Sequence, residues 1–167
     1  MRTIVVAMLL LAGCGKSAQK KQEEAWHRTP LKQMSATSGG VTYEMRIPED
    51  WTPRQPPDEG WGPTKGTATK RPFVTIQNVS LSLASSLESA VSAAGAAPEN
   101  VFKKEEKNDN YLVVEIKEPS MIKATTFKRA GNTFLWCTAE QHNDDGIPFF
   151  TETRQQLTRI CDSVTPK

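Results

Sequence analysis

Residues 101–141 read VFKKEEKNDNYLVVEIKEPSMIKATTFKRAGNTFLWCTAEQ and decide the fold. Val101–Lys107 and Tyr111–Lys117 flank Asn108-Asp109-Asn110, a short turn of residues that tolerate positive φ. Ile122–Arg129 and Thr133–Gln141 flank Ala130-Gly131-Asn132, a second hairpin connection. Four strands joined by turns this short must run antiparallel, because parallel neighbours need a crossover of a dozen or more residues.

Upstream of the hairpins, SSLESAVSAAGAAP predicts a helix over 85–95. Ser85 and Glu88 have the spacing of a capping box, and Leu87, Ala90, Val91 and Ala94 form one apolar stripe. Gly95 suits the position just past the helix end, and Pro98 blocks continuation. Downstream, Phe150, Thr153, Leu157, Ile160 and Cys161 mark the inner face of a final helix. Phe73–Leu83 has β-character, but Val74 and Ile76 lie on one parity and Val79, Leu81 and Leu83 on the other. That switch predicts an irregularity near Gln77-Asn78. Val41, Tyr43, Met45 and Ile47 alternate with polar residues in a half-buried strand that Pro48 ends. The expectation is an α+β domain, a mostly antiparallel sheet of about six strands covered by helices, in the order ββαββββα.

With 167 residues the chain has room for one domain of ordinary size. Its 37% hydrophobic and 24% charged residues exclude a disordered tail. A net charge of +2 lacks the basic excess of a nucleic-acid binder, so no nucleic-acid partner is expected. No P-loop, H-E-x-x-H, G-x-S-x-G or dinucleotide fingerprint occurs, so neither a cofactor nor a catalytic or metal site is expected.

Residues 1–14, MRTIVVAMLLLAGC, place one positive charge before an apolar run. A membrane span needs about twenty such residues, so the run reads as a secretion signal. Leu11-Ala12-Gly13-Cys14 resembles the bacterial lipobox. The resemblance implies cleavage after residue 13 and a diacylglyceryl group on Cys14, anchoring the chain in a membrane of the cell envelope. Gly15, in place of the Asp that retains such proteins in the inner membrane, leans toward the outer membrane facing the periplasm. Residues 14–39 are polar and read as a flexible stalk, with the globular domain at 40–167.

In an oxidising compartment Cys137 and Cys161 are an even pair left over after Cys14. One sits on the last strand and the other on the inner stripe of the last helix, so a disulfide is expected. The alternative is a Cys137–His142 nucleophile–base pair. His142, Asp144 and Asp145 in HNDDG read as a polar turn rather than a cation site. In the Pro-rich loop 49–66, Trp51 and Trp61 are candidates for a partner-binding surface, or else lids on the core.

Tyr43–Trp51 (YEMRIPEDW), the mid-chain helix, the run of strands and the C-terminal helix together resemble the PsbP-like fold family, over about residues 40–165. The resemblance implies an α/β/α sandwich and a non-enzymatic docking or accessory role, here toward another envelope protein. The rival expectation is a small ligand-binding protein or hydrolase with a pocket near 49–66 and His142.

Overall fold

The computed structural model describes residues 26, 29–54, 60–63, 72–142 and 151–167. The lipobox with Cys14, Gly15, most of the stalk, and Asp144 and Asp145 lie outside these described residues.

Among the described residues ten strands form two sheets. The smaller has the order β1-β2-β10, from Leu31–Ser38, Val41–Pro48 and Thr165–Pro166. The larger has seven strands in the order β3-β4-β5-β9-β8-β7-β6. These are Trp51–Pro53, Trp61–Pro63, Phe73–Ser80, Val101–Lys107, Asn110–Lys117, Met121–Ala130 and Thr133–His142 in chain order. Every pairing is antiparallel. Two α-helices complete the described fold: α1, Leu87–Ala93, and α2, Thr151–Asp162. The α+β class and the mostly antiparallel sheet are as expected; six strands in the order ββαββββα are not.

The extra strands have local causes. Leu31–Ser38 was expected to be stalk, because its apolar content is small. Met34 and Ala36 nonetheless alternate inward and pack on the core, and the whole segment pairs with β2. Gly39 and Gly40 therefore close a hairpin rather than punctuate a linker; their φ angles of +53° and +82° are those glycine adopts without strain. The folded chain also reaches upstream to Trp26, which is 6% exposed. Strands β3, β4 and β10 have only three, three and two residues. That is too short for any period to be visible in sequence.

The large sheet is buried on both faces, and residue parity assigns the faces. Val74, Ile76, Ile122, Ala124, Leu135, Cys137 and Ala139 meet α2, through Leu157, Ile160 and Cys161, together with Tyr43, Met45 and Ile47 of β2. On the opposite face Val79, Tyr111, Phe127, Phe134 and Trp136 meet Ala84, Leu87 and Ala90 in and before α1. Fully burying a side chain such as Leu157 or Ile160 contributes about 1.5–3 kcal/mol. The parity switch in β5 follows from this arrangement. Its register with β9 runs unbroken from Phe73↔Glu140 to Ser80↔Thr133, so no irregularity occurs at Gln77-Asn78. Val79 is apolar because the second face is covered too. The strand then ends at Ser80 in a 3₁₀ turn, Leu81–Ala84.

Helix α1 starts one residue later than expected. Ser86, not Ser85, is the N-cap, and its box partner is Ser89 rather than Glu88. The stop signal is as read: Gly95 has φ +65°, its N–H donates to Ser92 O, and Ala96 N–H donates to Val91 O, the two bonds of a Schellman motif. The 108–110 turn contracts to two residues, Asn108 and Asp109, both at positive φ, closed by the Lys107↔Asn110 pair.

Cys137 and Cys161 form a disulfide with Cα atoms 5.5 Å apart, and both residues are fully buried. The bond joins β9 to α2 across the core, which removes the Cys137–His142 nucleophile reading. For a loop of this size, 24 residues in sequence separation, chain entropy gives about 3 kcal/mol of stabilisation. The Cys137→Ala/Cys161→Ala protein is expected to lose about that much, read as a lower urea midpoint with a raised m-value, because the unfolded chain without the bridge exposes more surface.

Candidate functional site

Beyond the end of α1, the sheet face it covers changes from apolar to charged. On β7 the inward positions run Tyr111, Val113, Glu115, and the last of these is 4% exposed. Register sets Lys123 of β8 directly opposite Glu115, and Glu140 of β9 directly opposite Lys123. Three charges of alternating sign therefore lie in a row across three strands. His142 sits two residues beyond Glu140 on the same face, opposite Met121.

The row is locked by short contacts. Lys123 Nζ lies 2.9 Å from Glu115 Oε2 and donates to the Ala94 carbonyl at 2.8 Å. Ala94 is the C-cap of α1, where the helix dipole favours a cation. His142 Nε2 lies 3.2 Å from Glu140 Oε1. Above the row opens a cleft of about 450 Å³, lined among others by Asn100, Glu115, Lys117, Ser120, Lys123 and His142. That volume lies within the range of small-molecule sites, about 300–1,000 Å³. Ser120 Oγ donates to Lys117 O within the turn that joins β7 to β8. The cleft thus offers one exposed ammonium at Lys117, a half-exposed imidazole at His142, and a charge pair on its floor.

His142 was read as part of a turn and is instead the last residue of β9. It lines the cleft, but no described residue of 49–66 does, so a pocket shared by that loop and His142 is not formed among the described residues. Sequence reasoning singles out none of Asn100, Glu115, Ser120 and Lys123 as site residues. The available signal was a glutamate on the inward stripe of β7, where Tyr111 and Val113 predict an apolar residue. Among the described residues no group of three His, Cys, Asp or Glu gathers, and no helix is long and apolar enough to cross a membrane.

The tryptophans of the Pro-rich loop lie elsewhere. Trp51 is 1% exposed and packs at 6.0 Å from Trp26. It is a core residue, which corrects its candidacy for a partner surface. Trp61 is part-buried, packs against the same core, and meets Tyr43 edge-on at 6.4 Å. Both ring systems pack on the core, and a three-residue β3–β4 pairing joins their strands. Compared with known proteins, the chain matches no family model and no curated sequence.

Two predictions follow from these environments. Removing one member of a buried ion pair strands the other charge, at a cost of about 3–5 kcal/mol, whereas replacing both by apolar residues is often neutral. Lys123→Met alone is therefore expected to destabilise strongly, and Glu115→Leu/Lys123→Met to recover most of the loss in urea unfolding. Burial pushes the Tyr43 hydroxyl from 10.0 up to about 12. The folded chain then holds a proton that the unfolded chain releases, so this contribution is complete below pH 10 and is lost as pH rises toward 12. The slope is about 1.4 kcal/mol per pH unit. Tyr43→Phe is expected to lose less stability than the wild type over that window, by urea midpoints on either side of it.

Proposed function

We propose that this chain is a lipid-anchored lipoprotein of the bacterial cell envelope, whose PsbP-like domain acts by docking to another envelope protein rather than by catalysis. The observation that carries the reading is the ordered signal of Arg2, the Ile4–Leu11 apolar run and Leu11-Ala12-Gly13-Cys14. The buried Cys137–Cys161 bridge supports it, because such bonds persist in oxidising compartments. Gly15 favours the outer membrane, facing the periplasm, over the inner. The ion pairs in the cleft favour recognition over chemistry, since Lys123 and Glu115 neutralise each other and neither is free to act as base or nucleophile.

A second reading, a small ligand-binding protein or hydrolase, rests on one arrangement: Ser120 and His142 line the same cleft, and Glu140 orients the imidazole.

Mass spectrometry of the protein purified from cells is expected to show a chain beginning at Cys14 with acyl mass on that residue. In-cell crosslinking of the same protein is expected to enrich one stoichiometric envelope protein, reduced in a Lys117→Glu/His142→Ala variant. An unmodified Cys14 overturns the anchor. Absence of any enriched partner, together with fluorophosphonate labelling that Ser120→Ala abolishes, replaces docking by the second reading.

A further inference from the structure

Strand β6 ends the seven-stranded sheet, and Phe102–Lys107 are all exposed. Its sequence is ordered in blocks, Lys103-Lys104 followed by Glu105-Glu106. An antiparallel copy of such a strand sets its basic half against the acidic half of the first. We propose that two copies of this chain pair through β6, edge to edge and antiparallel, about a two-fold axis at Lys104. The pairing is independent of the membrane anchor.

Symmetry and hydrogen bonding select this register. A two-fold axis that joins the same edge of two copies runs perpendicular to the sheet and leaves each face on its own side. Facing residues must then share a face, so the axis passes through a residue rather than between two. The two-residue Asn108-Asp109 turn is closed by Lys107↔Asn110, and a closing pair of that kind exchanges both backbone bonds. Lys107, Glu105 and Lys103 thus bond toward β7, and Lys104 and Glu106 present N–H and C=O to the open edge.

With the axis at Lys104, each Lys103 faces Glu105 of the other copy at a non-hydrogen-bonded site, where Cα atoms approach to about 4.5 Å. Lys103 Nζ already lies 2.6 Å from Glu105 Oε2 within the strand, so the two copies close a ring of four alternating charges. The single like pair, Lys104 with its symmetry mate, falls on the wider hydrogen-bonded site, about 5.5 Å, with both Glu106 side chains diagonal to it. An axis at Glu105 instead sets Glu105 against itself at the close site and Lys103 against Lys107.

A second observation points to the same edge. Phe102, at the β6 irregularity between Val101 and Lys103, is 55% exposed, with the Arg154 guanidinium 4.0 Å from its ring centroid. In this register the second strand runs beside it, opposite Glu106 of that copy. Charged edges repel strands of unrelated sequence. The block order makes the chain's own copy the complementary one.

The test uses the full chain in cells, with thiol crosslinking read on non-reducing gels. Lys104→Cys places a cysteine on the axis; Glu88→Cys, exposed on α1, is the control, and the wild-type chain sets the Cys14 background. Lys104→Cys is expected to give a species of doubled mass in clear excess over both. Adding Lys103→Glu is expected to cut its yield about tenfold, since two symmetry-related cross-strand pairs become repulsive together. Adding Glu105→Lys as well restores those pairs and the yield. Equal yields at positions 88 and 104, or a charge swap that fails to restore the loss, overturn the proposal.

Discussion

Burying both faces of the β8–β9 pair is the constraint on which the rest of this structure depends. A sheet covered on one side could alternate apolar and polar residues throughout, but here Cys137 and Trp136 face opposite cores one residue apart. The cover on one side comes from the C-terminal helix and the small sheet, and on the other from α1 and its flanking turns. These pieces lie far apart in sequence, and the Cys137–Cys161 bond fastens one of them to the central strand. Thr126 adds a buried hydrogen bond from its hydroxyl to the Cys161 carbonyl at 3.1 Å, an oxygen near the helix end that also accepts from the Val164 N–H.

Incomplete cover creates the candidate site. Helix α1 has seven residues, about 10 Å of axis at 1.5 Å per residue, and cannot span the sheet it packs on. Where it ends, the face turns charged, and the helix C-terminus becomes part of the polar network through Ala94 and Lys123. The same shortness that limits the apolar core leaves the cleft open. Its floor tolerates burial because Glu115 and Lys123 neutralise each other, while Lys117 and His142 at its mouth remain available to a partner.

The edges of the large sheet are treated differently. At one end β3 is three residues long and ends in Pro53, and the adjoining β4 ends in Pro63. Proline removes a backbone donor, so this end offers little to another strand. At the other end β6 is seven residues long, charged, and free of proline. An edge of that composition discriminates among strands by charge order, whereas the opposite edge excludes them by geometry.

What lay in the sequence was local and periodic. The Asn108-Asp109 turn, the Gly95 stop, the inner stripe of α2, the Tyr43–Ile47 alternation and the even cysteine pair all depend on residues close in the chain or on simple parity. Tertiary structure decided the remainder. Leu31–Ser38 became a strand because β2 supplies its hydrogen-bonding partner, and two inward residues were too weak a signal for that. Trp51 went to the core, where Trp26, twenty-five positions upstream, packs beside it at a tilt. Register alone gathered Glu115, Lys123 and Glu140 into one row, because cross-strand neighbours are set by pairing between segments and not by spacing within any one of them.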